Sequence, residues 1–182
     1  MLRMARPVQL FQLMELRSAG RLTSPPAGDD LLTLLRNDHR SILLWLAALA
    51  DADEDEAQRA SLLEDVHLAM LAHGRAEEAV VRRALERDPA LCVAARLDHE
   101  SHVRIELVLG ELIAARPAGD AWMTRARYLL ELVRQHVIEE EASLFTMLRS
   151  AIRADGLRAM GGQFMTARLV ELGNIDGQRA GD

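Results

Sequence analysis

The sequence predicts an all-α fold: an up-down-up-down antiparallel four-helix bundle with an N-terminal arm and a short C-terminal helix. Three observations predict it. Hydrophobic residues make up 49% of the 182 residues, yet only 2 Trp, 1 Tyr and 3 Phe are aromatic, so the core must be Leu, Ala, Val and Met. That mix favours helix over strand. Apolar side chains recur at steps of three or four along four long segments, the period of a helix with one buried face. Gly and Pro cluster between those segments, where they break helices and form short turns. Short turns between long helices make neighbours antiparallel.

Residues 1–28 read as an arm and linker. The beginning is basic and mildly amphipathic, without the continuous apolar core of a secretory signal. Residues 19–28, AGRLTSPPAG, close it with helix breakers. The first helix begins near Asp29 or Asp30, either of which can cap it, and its stripe is Leu32, Leu35, His39, Ile42, Leu46, Leu49. The second runs from about Glu54 to Arg87 on Leu63, Val66, Met70, His73, Glu77, Val80, Ala84. Asp88-Pro89 ends it and starts the third, with Asp as N-cap and Pro at the first helical position. The third stripe is Cys92, Ala95, His99, then His102 or Val103, Glu106, Leu109, Ile113. Pro117, Gly119 and Asp120 mark the next break. The fourth stripe is Trp122, Ala126, Leu129, Val133, His136, Glu140, Leu144, Met147. Residues 29–150 are thus the bundle, and 151–182 a trailing helix over about 157–172 with a flexible tail.

The net charge is −6, with acids and arginines interspersed, and all 22 basic residues are Arg, as a GC-rich bacterial genome would favour. There is no basic stripe to hold nucleic acid. No apolar run is long enough to cross a membrane. The single cysteine, Cys92, excludes an internal disulfide framework and fits a reducing compartment, so a cytoplasmic location is expected. Self-association is possible through the trailing helix. No nucleophile triad, phosphate loop or nucleotide fingerprint is present, and no catalytic residue is assigned.

The chemistry is on the stripes. His39, His73, His99 and His136 each lie on the apolar face of a different helix, and Glu77 and Glu140 follow His73 and His136 by four residues. A buried carboxylate costs several kcal/mol unless something positive holds it. No Arg lies on the stripes beside these glutamates, so a metal is the simplest cation that satisfies both residue types. At a spacing of four, the imidazole can bind one ion while the carboxylate bridges to a second. Two such pairs with His39 and His99 make a four-His, two-Glu dinuclear site at one depth of the bundle. Mixed nitrogen and oxygen donors suit iron or manganese, and four histidines favour iron. A solvent bridge or open position would admit dioxygen, peroxide or nitric oxide. A lone histidine on an apolar stripe is more often a satisfied core residue; the concurrence of four argues for metal. His67 and His102 read as boundary or surface histidines, although His102 could approach the site. Glu78, Glu139 and Glu141 read as solvated groups or groups that orient a ligand histidine. Glu106 reads as pairing with Arg or His, and Trp45, Trp122 and Cys92 as packing residues.

In the order H…HxxxE…H…HxxxE, carried by NDHRSILLWL, LAHGRAEEAV, LDHESHVRIELVLGEL and VRQHVIEEEASLF, the chain resembles the hemerythrin-like, HHE cation-binding family. The resemblance covers about residues 30–149 and implies two iron ions joined by an oxo or hydroxo bridge on His39, His73, Glu77, His99, His136 and Glu140. The oxygen carriers of that family have a further histidine four residues after the third, where this chain has Val103. The expected function is therefore binding of O2, NO or H2O2 for sensing, or iron handling. The alternatives are a diiron enzyme that removes peroxide or nitric oxide, and a metal-free helical interaction module.

Overall fold

The computed structural model describes residues 28–51, 55–85 and 92–179, the side chains of 92–95 and 175–179 excepted. Most of the N-terminal arm, the Asp88-Pro89 break and the Cys92 and Ala95 side chains lie outside the described residues. The described residues are helical, with short connections. Helix α1 is Leu31–Leu49; Asp30 caps it, its carboxylate accepting from the Thr33 N–H at 2.8 Å. Helix α2 starts at Glu56 behind a capping box of Asp55 and Gln58. It runs as Glu56–Glu77, a π-helical turn Glu78–Arg82 and a last turn Arg83–Leu85. Helix α3 is Cys92–Ala114. Gly119, at φ 81°, takes the left-handed conformation that turns the chain into α4. Helix α4 comprises Gly119–Glu139, a π-helical turn Glu140–Leu144 and Phe145–Ala151. Helix α5 is Ala154–Arg179. None of these helices is long and apolar enough to cross a membrane.

The core forms two apolar clusters with a polar layer between them. One cluster includes Ile42, Leu46, Leu49, Val66, Leu109, Leu129 and Val133, and the other Leu32, Leu35, Val81, Leu85, Phe145, Leu148 and Phe164. Among the described residues, the buried polar ones are His39, His73, Glu77, His136 and Glu140. Along α1 the chain passes from the second cluster through His39 to the first. Along α2 and α4 it passes from the first cluster through the His and Glu pair to the second. On α3 the first-cluster residues Ile105, Leu109 and Leu112 follow the polar layer. So α1 and α3 run one way and α2 and α4 the other.

Three details differ from the periodic reading, and each has a local cause. Beyond Glu77 and Glu140, Val80 and Leu144 are buried as expected, but they are joined by Val81 and Phe145, and the next buried residues are Leu85 and Leu148, where Ala84 and Met147 were expected. Each π turn inserts one extra residue, so the buried stripe moves forward by one. On α3 the stripe is Ile105, Leu109, Leu112; Glu106 and Ile113 are exposed. The trailing helix is longer than expected, continuing to Arg179. It packs along α1 and α2, burying Leu157, Met160 and Phe164, each contributing about 1.5–3 kcal/mol of hydrophobic stabilisation. Gly161 permits this approach: a Cβ there would lie 2.7 Å from the Asp29 carbonyl oxygen.

Candidate metal centre

Four imidazoles converge on two carboxylates in the polar layer. The His39 Nε2 lies 3.0 Å from Glu140 Oε2, and the His136 Nε2 3.5 Å from the same oxygen. The His73 Nε2 lies 3.4 Å from Glu77 Oε2, and the His102 Nε2 3.6 Å from that oxygen. The His102 and His136 Nε2 atoms are 3.0 Å apart. All four rings thus turn Nε2 toward one centre, each carboxylate serving two of them. Their one-turn spacing on α2 and α4 puts His and Glu on the same face.

Outer contacts hold three of these rings in that orientation. The Ser101 hydroxyl donates its proton to the Asp98 carbonyl at 2.7 Å. Its oxygen can then only accept from the His136 Nδ1–H, 2.9 Å away, which leaves the His136 Nε2 lone pair facing inward. The His39 Nδ1 faces Glu141 Oε1 at 3.1 Å, and Arg36 donates to the other Glu141 oxygen at 3.0 Å. The His73 Nδ1 faces Asp38 Oδ2 at 3.5 Å, and Arg168 of α5 pairs with Asp38 at 2.9 Å.

The charges are unbalanced within this shell. Burial pushes the Glu77 carboxyl well above the usual range, and the negative charges of Glu140 and Asp98 push it further. Burial also raises Asp98 to about 6, with help from Glu140 and Glu78 against His102 and His39. Burial acts the same way on Glu140, but His39 outweighs it and, with His136 and His73, holds that carboxyl low. Burial, reinforced by the charge of His102, takes His136 down to about 3; His102 is likewise lowered by burial. These two rings are therefore neutral at ordinary pH, the form that binds metal.

The structure places His99 apart from the other expected site residues. Its side chain is 47% exposed, and its Nδ1 lies 3.4 Å from Glu78 on the outside of the bundle. His102, read as a boundary residue, occupies the central position on α3. The reason is helical phase: three residues change the facing direction by about 60°, and His102 rather than His99 is in phase with Ile105, Leu109 and Leu112. The remaining expected residues His39, His73, Glu77, His136 and Glu140 are buried and brought together. Asp98 was missed. One oxygen from each of Glu77, Asp98 and Glu140 can be chosen so that all three lie within 4.8 Å of one another. Its signal was the Asp98-x-x-x-His102 spacing, a third one-turn carboxylate and imidazole pair in reversed order. Of the flanking acids, Glu141 orients His39, Glu78 pairs with Arg82 and faces His99, and Glu139 accepts from Gln135.

Residues 30–148 match the family model described as hemerythrin HHE cation binding domain. The chain belongs to the hemerythrin family. Neither a curated protein nor a solved structure matches it significantly. The matched hemerythrin domain starts at the Asp30 cap and ends at the core residue Leu148, so it spans α1 to α4; α5 lies outside it yet supplies Arg168.

The donor set of this hemerythrin domain fits a metal. All four carboxylate oxygens of Glu77 and Glu140 are buried and accept no hydrogen bond, and the His39 Nε2 has no hydrogen-bond partner either. Such orphaned atoms are expensive without a cation. Two donors roughly 2.1 Å from one ion, at angles of about 90–110°, would lie about 3.0–3.4 Å apart, close to the spacings found here. His39, His73 and Glu140 can each offer one ligand atom so that all three lie within 4.8 Å of one another; so can His73, Glu77 and His102, and Asp98, His102 and His136.

Proposed function

We propose that this hemerythrin-family protein binds a pair of iron ions and uses them to bind a small ligand, dioxygen, nitric oxide or peroxide, for sensing or iron handling. His39, His73, His102 and His136 are the nitrogen donors, Glu77 and Glu140 the shared carboxylates, and Asp98 an additional oxygen donor. The observation that carries this reading is the set of four buried, unpartnered carboxylate oxygens facing four inward-turned imidazoles. An apolar interaction module would have no use for it. Iron at such a site supplies an open position and a redox couple for small ligands. The protein's own groups orient three of the imidazoles through Ser101, Glu141 and Asp38, and the two apolar clusters limit the access of water to the layer from above and below.

Metal analysis of protein purified from iron-supplied cells should give about two iron atoms per chain, as the dinuclear scheme requires. Glu77→Ala and Glu140→Ala should each lower that content. Full iron content in both variants would refute the shared-carboxylate assignment. Absorption spectra of the reduced, iron-loaded protein with oxygen, nitric oxide or peroxide identify the ligand. Sustained peroxide or nitric oxide consumption in the same samples would convert the binder into an enzyme.

A further inference from the structure

The polar layer opens on one side into a cavity of about 180 Å³ bordered by α2 and α3. The four converging histidines form its inner wall. From there it follows the two helices as far as His67 on α2 and Ile113 on α3; the stretch from His102 to Ile113 is about 16 Å of helix at 1.5 Å per residue. Ile42, Met70, Ile105, Leu109, Val133 and Val137 make most of the wall apolar. Away from the four histidines, only His67 and Glu106 contribute polar side chains to the lining. Gly74 on α2 and Gly110 on α3 both line the cavity, and a Cβ at either would meet nothing within 4 Å.

The cavity is larger than access by a diatomic molecule requires. A water-sized molecule takes up roughly 30 Å³. A water in a cavity also needs two to four polar partners, which this wall does not offer along most of its length. An apolar cavity of about 150 Å³ lined by Leu, Ile and Phe stays dry and binds benzene. Metal ions would occupy only the end bounded by the histidines, leaving the apolar length free. We infer that the protein takes a small apolar organic molecule of benzene to short-alkyl size in the cavity between α2 and α3, one end against the histidine layer. The inference rests on the metal-centre reading for that inner end, and it makes the organic molecule and the small ligand neighbours within one chamber. Occupancy of the cavity then controls how a diatomic ligand reaches the inner end.

The test uses fluorobenzene as the probe and glycerol as a polar control, with binding read by fluorine NMR and thermal shift on iron-loaded and on chelated full-length protein. Saturable fluorobenzene binding is expected in both forms, with none for glycerol. Gly74→Leu and Gly110→Leu, which fill the cavity, should weaken it by about tenfold or more, while Gly110→Ala should change it by less than about twofold. Iron content should be unchanged in all three variants. Should the leucine variants fail to fold by circular dichroism, Leu109→Ala provides the opposite test: it enlarges the chamber and should admit naphthalene. Wild-type protein that holds two irons but no fluorobenzene overturns this inference and leaves the metal centre standing. Fluorobenzene binding by wild-type protein that takes up no iron when iron is supplied overturns the metal-centre reading instead. Undiminished binding in the folded leucine variants, or exclusion of naphthalene by Leu109→Ala, overturns the cavity inference.

Discussion

His99 and His102 differ by less than one helical turn, yet one is half exposed and the other lies at the centre of the molecule. Their substitution therefore separates the two readings of α3. His102→Ala should weaken iron binding by at least about tenfold, whereas His99→Ala should leave it within about twofold, measured by metal titration calorimetry. Glu77 gives a test of sign. Its carboxyl is raised by burial and by Glu140 and Asp98, so in chelated protein it is a destabilising group. Glu77→Gln should raise the melting temperature of the chelated protein and lower that of the iron-loaded protein, because the amide relieves the repulsion but cannot bridge two ions. Equal shifts in both forms would count against a metal on Glu77. The five buried polar residues of the predicted set were legible because each breaks an apolar stripe at helical spacing. His102 and Asp98 were not, because α3 has two overlapping sets of residues at steps of three and four, and only packing chooses between them.

At the scale of elements, the two π turns and the fifth helix are the features to test. Each π turn begins at or just after a central glutamate, so the inserted residue sets the phase of the core beyond the centre without altering the one-turn spacing of His and Glu. The helices themselves were legible from their period, and the first N-cap from the Asp29-Asp30 pair; the Asp55 cap of α2 was not read. The π turns were not, because an i to i+5 hydrogen bond leaves no residue signature that differs from an ordinary helix. Helix α5 reaches the site through Arg168 and Asp38 and depends on Gly161 for its approach. Gly161→Ala places a methyl against the backbone of the α1 start, which a side-chain rotation cannot relieve. It should destabilise the protein by about 1–3 kcal/mol, read from urea unfolding, although Ala is the better helix former. An unchanged or raised stability would show that α5 does not sit this close.

For the whole molecule, the polar layer between two apolar clusters means that metal binding and folding are linked. An unfolded chain has no such layer, so iron at about a thousand times its dissociation constant should stabilise the fold by about 4 kcal/mol, and a chelator should remove that increment. Scanning calorimetry of loaded and chelated protein measures it directly. Protons compete for the same imidazoles and carboxylates, so the increment should shrink as the pH falls from 7 to about 5. A loaded protein no more stable than the chelated one would be incompatible with a centre built into the core.

By itself the sequence determined the helical class, the four long amphipathic segments and the presence of histidines and glutamates on their buried faces, because these follow from composition and from a period of 3.6 residues. Tertiary structure alone decided which histidine of α3 turns inward, that Asp98 joins the carboxylates, that α5 lends Arg168 to Asp38, and that α2 and α3 border an open apolar chamber. Each of those depends on the phase and distance between helices. A periodic pattern read one segment at a time leaves both quantities free.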